Sequence, residues 1–216
     1  MSPARGPGAG RGKRTDSSTR WLRRQHADPY VQRARAEGYR SRSAYKLLEI
    51  DASAGLLRRG ARVVDLGAAP GGWLQVATAK GCRVVGIDLL PVEPVAGATV
   101  LQGDALDPAE QARLRDALGG SADVVLSDMA ASSTGTRAVD RLRAEALGEA
   151  VLAFAAEVLA PDGALVLKLV KGAESALVEQ AKRSFRRTRL VRPPATRRES
   201  SEMYFVAQGF HGGPVG

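Results

Sequence analysis

From residue 61 onward, short apolar runs rich in valine and leucine alternate with stretches patterned for helix. Runs at 62–66, 82–87, 98–102, 123–127, 164–170, 186–192 and 203–208 read as strands. Between them, 72–79, 108–118, 139–159 and 172–185 read as helices, and Pro161-Asp162-Gly163 reads as a turn. In 139–159, Leu142, Ala146, Ala150, Ala153 and Phe154 fall roughly on one side. Strands alternating with helices imply a parallel sheet covered on both faces. Ligands of such sheets bind outside the carboxyl ends of the strands, where the strand order reverses. The second, third and fourth runs end at or near an aspartate: Asp88, Asp104 and Asp128. Upstream, 28–37 and 41–53 read as helices, the second with Ser41 as a plausible cap and an apolar stripe of Ala44, Leu47 and Leu48.

Charge divides the chain differently. The 216 residues carry a net charge of +9, and residues 1–46 hold 12 Lys+Arg against 3 Asp+Glu. The other 170 residues hold 20 of each and balance. Residues 1–20, rich in Gly, Pro, Ser and Arg, read as a disordered basic tail, with an organelle transit peptide as the rival reading. A second basic run between Lys182 and Arg198 has eight cations and no acid. Two basic segments on a balanced body point to a polyanion, most simply nucleic acid. The single cysteine, Cys82, excludes an internal disulfide framework, and two histidines argue against a histidine-built metal site. No apolar run reaches the roughly 18–20 residues of a membrane span, and the N-terminus lacks a signal-peptide core. A cytoplasmic protein is expected, and a monomer, since no long apolar heptad is present.

Two local patterns carry chemistry. Residues 63–73, VVDLGAAPGGW, read as strand, tight turn and helix start. The spacing G-x-x-x-G-G is neither the dinucleotide G-x-G-x-x-G nor a P-loop. A carboxylate-bearing ligand such as S-adenosylmethionine needs less backbone cradling than a pyrophosphate. Asp88 could accept both ribose hydroxyls of its nucleoside, and Asp104 its adenine amino group. The competing reading is structural: glycines for a turn and aspartates as helix caps. The second pattern is Lys168, alone inside the apolar run 164–170. A buried ammonium is costly unless paired. Asp128 is the obvious partner, with Lys46 a candidate second cation and Glu202 a balancing acid.

Taken in order, Ser41-Arg42-Ser43-Ala44-Tyr45-Lys46-Leu47, the 64–73 segment, Asp88-Leu89-Leu90-Pro91, Leu101-Gln102-Gly103-Asp104, Ser127-Asp128-Met129-Ala130, Val166-Leu167-Lys168 and Ser201-Glu202-Met203-Tyr204 resemble the FtsJ-like (RlmE-type) ribosomal RNA 2′-O-ribose methyltransferases. The resemblance spans about residues 20–210. It implies a Rossmann-like class I α/β fold with a mostly parallel seven-stranded sheet and helices on both faces. It implies one methyltransferase domain over 21–210, its 21–54 part contacting RNA, then a short tail at 211–216. It implies a catalytic tetrad at Lys46, Asp128, Lys168 and Glu202. It also implies S-adenosylmethionine contacts at Asp65, Gly67, Gly71, Gly72, Trp73, Asp88, Leu89, Asp104, Ala105 and Asp128, and no metal. The expected substrate is a uridine 2′-hydroxyl in the A-loop of 23S ribosomal RNA, the expected partner that RNA or the large ribosomal particle. The chain departs from the family pattern at Ala131-Ser132, where Pro-Asn is frequent, and around 192–197. Competing readings are a transfer-RNA ribose methyltransferase, a non-catalytic RNA-binding assembly factor, and a nicotinamide oxidoreductase, the last disfavoured by the loop spacing.

Overall fold

A computed structural model describes residues 28–170, 172 and 175–212. The expected tail over 1–20, residues 21–27 and the last four residues of the 211–216 tail lie outside that range. The chain opens with α1 (Pro29–Ala36), set by Pro29 in its first turn and by the Asp28 carboxylate accepting from Tyr30 N at 3.0 Å. Then comes α2 (Ser43–Ala54). Ser41 does not cap it: Arg42 occupies the cap position without a side-chain bond, and Ser41 Oγ lies 2.6 Å from Ser43 Oγ instead.

The alternating part follows as β1 (Arg62–Leu66), α3 (Gly72–Ala79), β2 (Arg83–Asp88), β3 (Ala98–Gln102), α4 (Pro108–Leu118), β4 (Ala122–Ser127), α5 (Arg137–Val158), β5 (Leu159–Val170), α6 (Ser175–Ala181), β6 (Phe185–Val191) and β7 (Glu202–Phe210). The seven strands form one sheet in the order β3-β2-β1-β4-β5-β7-β6. Strands β3, β2, β1, β4 and β5 pair in parallel, while β7 runs antiparallel between β5 and β6. One face is covered by α2 and α3 through Leu47, Ile50 and Leu74, the other by α4, α5 and α6 through Leu114, Leu152 and Leu177. This is the layered architecture expected of the alternation. The order reverses between β1 and β4, so the crevice at their carboxyl ends is where a ligand belongs. Among the described residues no helix is long and apolar enough to cross a membrane.

Three further expectations change. The Pro161-Asp162-Gly163 turn lies inside β5, as a bulge: Ala122 pairs with Leu159, but Val124 pairs with Ala164. Asp162 takes a left-handed φ of 64° to make it. The helix expected over 172–185 is only Ser175–Ala181. In α5 the buried face is Gly148, Val151, Leu152, Phe154, Ala155 and Val158. Of the expected stripe Phe154 is buried, but Leu142 is 64% exposed and Ala146 and Ala153 are exposed, so the stripe as a whole is not the packed one. Alanines make both faces of this helix weakly apolar, and the larger Val151, Leu152 and Val158 decide which one enters the core.

Candidate active site

Lys46, Asp128, Lys168 and Glu202 come from four separate elements and converge. Lys46 sits in α2, Asp128 follows the last residue of β4, Lys168 is near the end of β5, and Glu202 begins β7. Pairing brings the last two together, since Lys168 lies opposite Tyr204 and Val170 opposite Glu202. Lys168 Nζ donates to the backbone carbonyl of Asp128 and lies 3.2 Å from Asp128 Oδ1. Lys46 Nζ donates to Glu202 Oε2 at 2.9 Å and to Tyr204 Oη at 3.0 Å. Tyr204 Oη in turn donates to Asp128 Oδ1 at 2.6 Å. The result is an unbroken chain: Glu202, Lys46, Tyr204, Asp128, Lys168. Both amines are almost completely buried, and each meets a carboxylate, as a buried ammonium requires. Burial alone would raise Glu202, but the Lys46 hydrogen bond and the charges of Lys46 and Lys168 outweigh it and hold its carboxyl below the usual range. Burial, then the Asp128 charge and hydrogen bond, pushes the Tyr204 phenol far up, so it remains a neutral donor.

Beside this chain lies the glycine turn. Gly67 has φ +81°, and a Cβ there would stand 2.6 Å from Met129 Cγ and 3.1 Å from Met129 N. Thus the loops leaving β1 and β4 cross at Gly67. A Cβ on Gly71 would meet Arg40 Nη1 at 2.7 Å, and one on Gly72 would meet Ser41 Oγ at 2.6 Å. These glycines make room for protein, not open space for a ligand; what the turn offers a ligand is its backbone. Trp73 is likewise turned inward. Its ring is 3% exposed, donates Nε1 to Ser43 O at 2.9 Å and packs on Tyr204, which leaves its backbone N–H in the first turn of α3 as its possible ligand contact.

Asp88 accepts from Ala69 N and Leu90 N, each at 2.8 Å, and so shapes the glycine turn while retaining lone pairs. Asp104 Oδ1 accepts from Leu106 N at 2.9 Å, Ala105 is buried, and Leu89 stands 67% exposed. Asp65 is different. Its carboxyl is 1% exposed, and neither oxygen has a partner among the described residues. Burial first, then the charges of Asp128 and Asp88, raises it well above the ordinary carboxyl range. An orphaned buried acid flanked by two more, under a turn of backbone donors, fits a ligand with a carboxylate at one end and positive charge in the middle. S-adenosylmethionine has that pattern.

Sequence reasoning assigned no role to two residues that the geometry makes central. Tyr204 was legible only as a neighbour of Glu202; its part depends on the register of β5 against β7. Arg40 spans from the N-terminal segment to the turn, donating to Pro70 O at 3.2 Å, Glu93 O at 2.6 Å and Pro94 O at 2.7 Å. Together with Arg42, which binds Asp28 and the Ala195 carbonyl, it holds α1 and α2 over the carboxyl ends of the strands. Between these helices and residues 194–202 lies a cleft of about 1230 Å³, bounded by Lys46 and Glu202. Arg35 and Arg198 line it and carry no acidic partner among the described residues.

A sheet with a reversed strand beside β5, and acids at the carboxyl ends of β1, β2 and β4, defines a class I methyltransferase. The FtsJ-like methyltransferase family model matches residues 39–210. The chain belongs to that family, and the resemblance read from the sequence is borne out. It is 53% identical over 200 residues to the ribosomal RNA large subunit methyltransferase E of Granulibacter bethesdensis, covering 92% of this chain and 87% of that one. It is 52% identical over 203 residues to the protein of that name from Zymomonas mobilis, covering 93% and 92%. Among solved structures, a Plasmodium falciparum protein described as a ribosomal RNA methyltransferase superposes with a TM-score of 0.73 at 25% identity, over 81% of this chain and 100% of that one.

Proposed function

We propose that this methyltransferase transfers a methyl group from S-adenosylmethionine to a ribose 2′-hydroxyl of ribosomal RNA, a uridine in the A-loop of the 23S molecule. The observation that carries the reading is the chain from Glu202 to Lys168, two amines and two acids joined through one phenol. The donor supplies a methyl group made electrophilic by its sulfonium. Asp65, Asp88 and Asp104 hold it, with the backbone of the 67–73 turn.

The remaining work belongs to the side chains. Lys168 donates one hydrogen bond to the Asp128 backbone carbonyl and pairs by charge with its carboxylate, which leaves donor capacity for the ribose oxygen. It orients the 2′-hydroxyl and, staying charged, stabilises the negative charge developing on the oxygen, while the hydroxyl proton passes to water in the open cleft as the bond to the methyl group forms. Asp128 fixes Lys168, and Tyr204 fixes Asp128. Lys46 anchors the phenol, and Glu202 neutralises Lys46. Holding both reactants in this geometry removes several kcal/mol of barrier. The cleft under α1 and α2 admits the RNA, with Arg35 and Arg198 toward its phosphates. In this reading the enzyme works as a cytoplasmic monomer.

The deciding experiment is labelled-methyl transfer to large ribosomal particles that lack the modification, followed by nucleoside mass analysis. The expected product is one 2′-O-methyluridine in the A-loop. Label on transfer RNA alone assigns the other substrate class, and no label on any RNA favours a non-catalytic assembly factor. Lys168→Ala abolishes turnover while leaving donor affinity nearly unchanged; full activity in that variant removes the lysine from the mechanism.

A further inference from the structure

The basic run between Lys182 and Arg198 does not form one surface. Strand β6 carries it across the sheet. Phe185 pairs with Phe210 at one end, and Val191 pairs with Tyr204 at the other. Arg192, Arg197 and Arg198 therefore emerge on the side of the candidate active site. Arg186 and Arg187 stay at the opposite end, where the parallel strands begin. There they meet Arg58 and Arg59, from the loop after α2, around a groove of about 750 Å³.

The charges of this groove are unbalanced. It is lined by Arg58, Arg59, Arg186 and Arg187 against Asp123 and Asp162. Asp162, projected by the β5 bulge, is taken by Arg186. Asp123 accepts the backbone N–H of Arg62 at 2.7 Å. Arg58, Arg59 and Arg187 are exposed and carry no acidic partner among the described residues. Three unpaired guanidinium groups around one concavity, on a body whose charges sum to zero with these three included, are poorly explained as a solubilising face. Guanidinium clusters match phosphate oxygens in geometry and charge. The groove also lies behind the chemistry: Val124 lines it and Asp128 directly follows the same strand, four residues or about 13 Å away.

We propose that this rear groove is a second RNA-docking surface, which grips the phosphodiester backbone of a ribosomal RNA segment other than the one entering the active site. The inference rests on the RNA-methyltransferase reading above and extends it: the preferred substrate is large enough to reach both ends of the sheet. Affinity gained at the rear carries no base identity. It raises the effective concentration of the target at the front.

The test compares the wild type with a triple variant, Arg58→Ala, Arg59→Ala, Arg187→Ala. Binding to large ribosomal particles is measured across a salt series, and methyl transfer is measured on a short A-loop hairpin too small to span both surfaces. The variant is expected to bind the particles about ten- to a hundredfold more weakly, with the slope of log affinity against log salt reduced by about 2–3. Turnover on the hairpin stays at the wild-type value. A matching triple-lysine variant keeps the charge and the salt slope. Unchanged affinity and slope on the particles overturn the proposal, and so does an equal loss on hairpin and particle, which would mean the substitutions damaged the site itself. Because binding is read without turnover, a wild type that methylates neither RNA refutes the proposed reaction while the salt series still decides the groove.

Discussion

Tyr204 Oη lies 2.6 Å from Asp128 Oδ1 and receives its own hydrogen bond from Lys46 at 3.0 Å. One neutral hydroxyl thus joins the half of the site built on α2 to the half built on β4 and β5. Tyr204→Phe keeps the ring on Trp73 and removes only that junction. A hydrogen bond to a charged group is worth about 1.5–3 kcal/mol. If the bond holds Asp128 and Lys168 in their reactive positions, turnover falls about ten- to a hundredfold, with donor affinity unchanged. Single-turnover methylation and a donor titration check this. Wild-type turnover in the variant assigns the phenol to packing alone.

Asp65 is buried without a hydrogen-bond partner among the described residues, and in the proposed reading it also faces the methyl donor. Its folded-state pKa is raised well above 3.8, by burial and then by Asp128 and Asp88. With a raised value, the contribution to stability is fully present below the unfolded pKa. As pH climbs above about 4, the unfolded chain ionises this acid while the fold holds its proton, so the fold loses stability until the folded pKa is reached. Asp65→Asn cannot ionise. Its donor-free melting temperature therefore exceeds that of the wild type by more at pH 7 than at pH 4, while S-adenosylmethionine binds about tenfold or more weakly through loss of the carboxylate. Thermal melts at both pH values and calorimetric titration test the two halves separately. Identical pH profiles for the two proteins would place an ionised Asp65 in the fold.

The glycine turn yields a paired comparison. A Cβ at Gly67 meets the backbone of Met129 and requires a left-handed residue, so neither the neighbour nor the chain can give way. Gly67→Ala is expected to cost about 3 kcal/mol. A Cβ at Gly72 would crowd only the Ser41 hydroxyl at 2.6 Å, with the Ser43 hydroxyl at 3.4 Å and Ala44 N at 3.6 Å in ordinary contact; the hydroxyl can rotate aside, in a helical position where alanine is favoured. Gly72→Ala should leave the melting temperature nearly unchanged. Chemical denaturation of both variants distinguishes a crossing of two loops from a glycine signature that merely precedes a helix.

Most of the sheet was legible because β1 and β3 are bounded by turn chemistry and built from residues that suit one geometry: the expected spans 62–66 and 98–102 coincide with the observed strands. Lys168 was legible because it breaks an apolar run, and Asp128 as the partner it needs; Lys46 and Glu202 were candidates until the family resemblance implied the set of four. What the sequence hid depends on register and size. The part played by Tyr204 follows from which β7 residue faces Lys168. The bulge at Asp162 looked like a chain reversal because Pro-Asp-Gly makes both. The split of the basic run follows from the direction of β6. The face of α5 was misread for lack of contrast, since alanines along both sides give periodicity two equally good answers.

That last point can be measured. Leu152 is 0% exposed in the cluster with Phe154, Leu165 and Phe205, whereas Leu142 is 64% exposed on the same helix. The same leucine-to-alanine change therefore removes a packed isobutyl group in one case and a solvated one in the other. Leu152→Ala should cost about 2–5 kcal/mol, the transfer loss plus the cavity left behind. Leu142→Ala should stay within about 0.5 kcal/mol of the wild type. Urea midpoints of the two variants decide between the faces. If Leu142→Ala is the costly one, α5 is rotated from its described position, and the packing of α6 on Gly148, where a Cβ would meet Leu177 at 2.7 Å, is wrong with it.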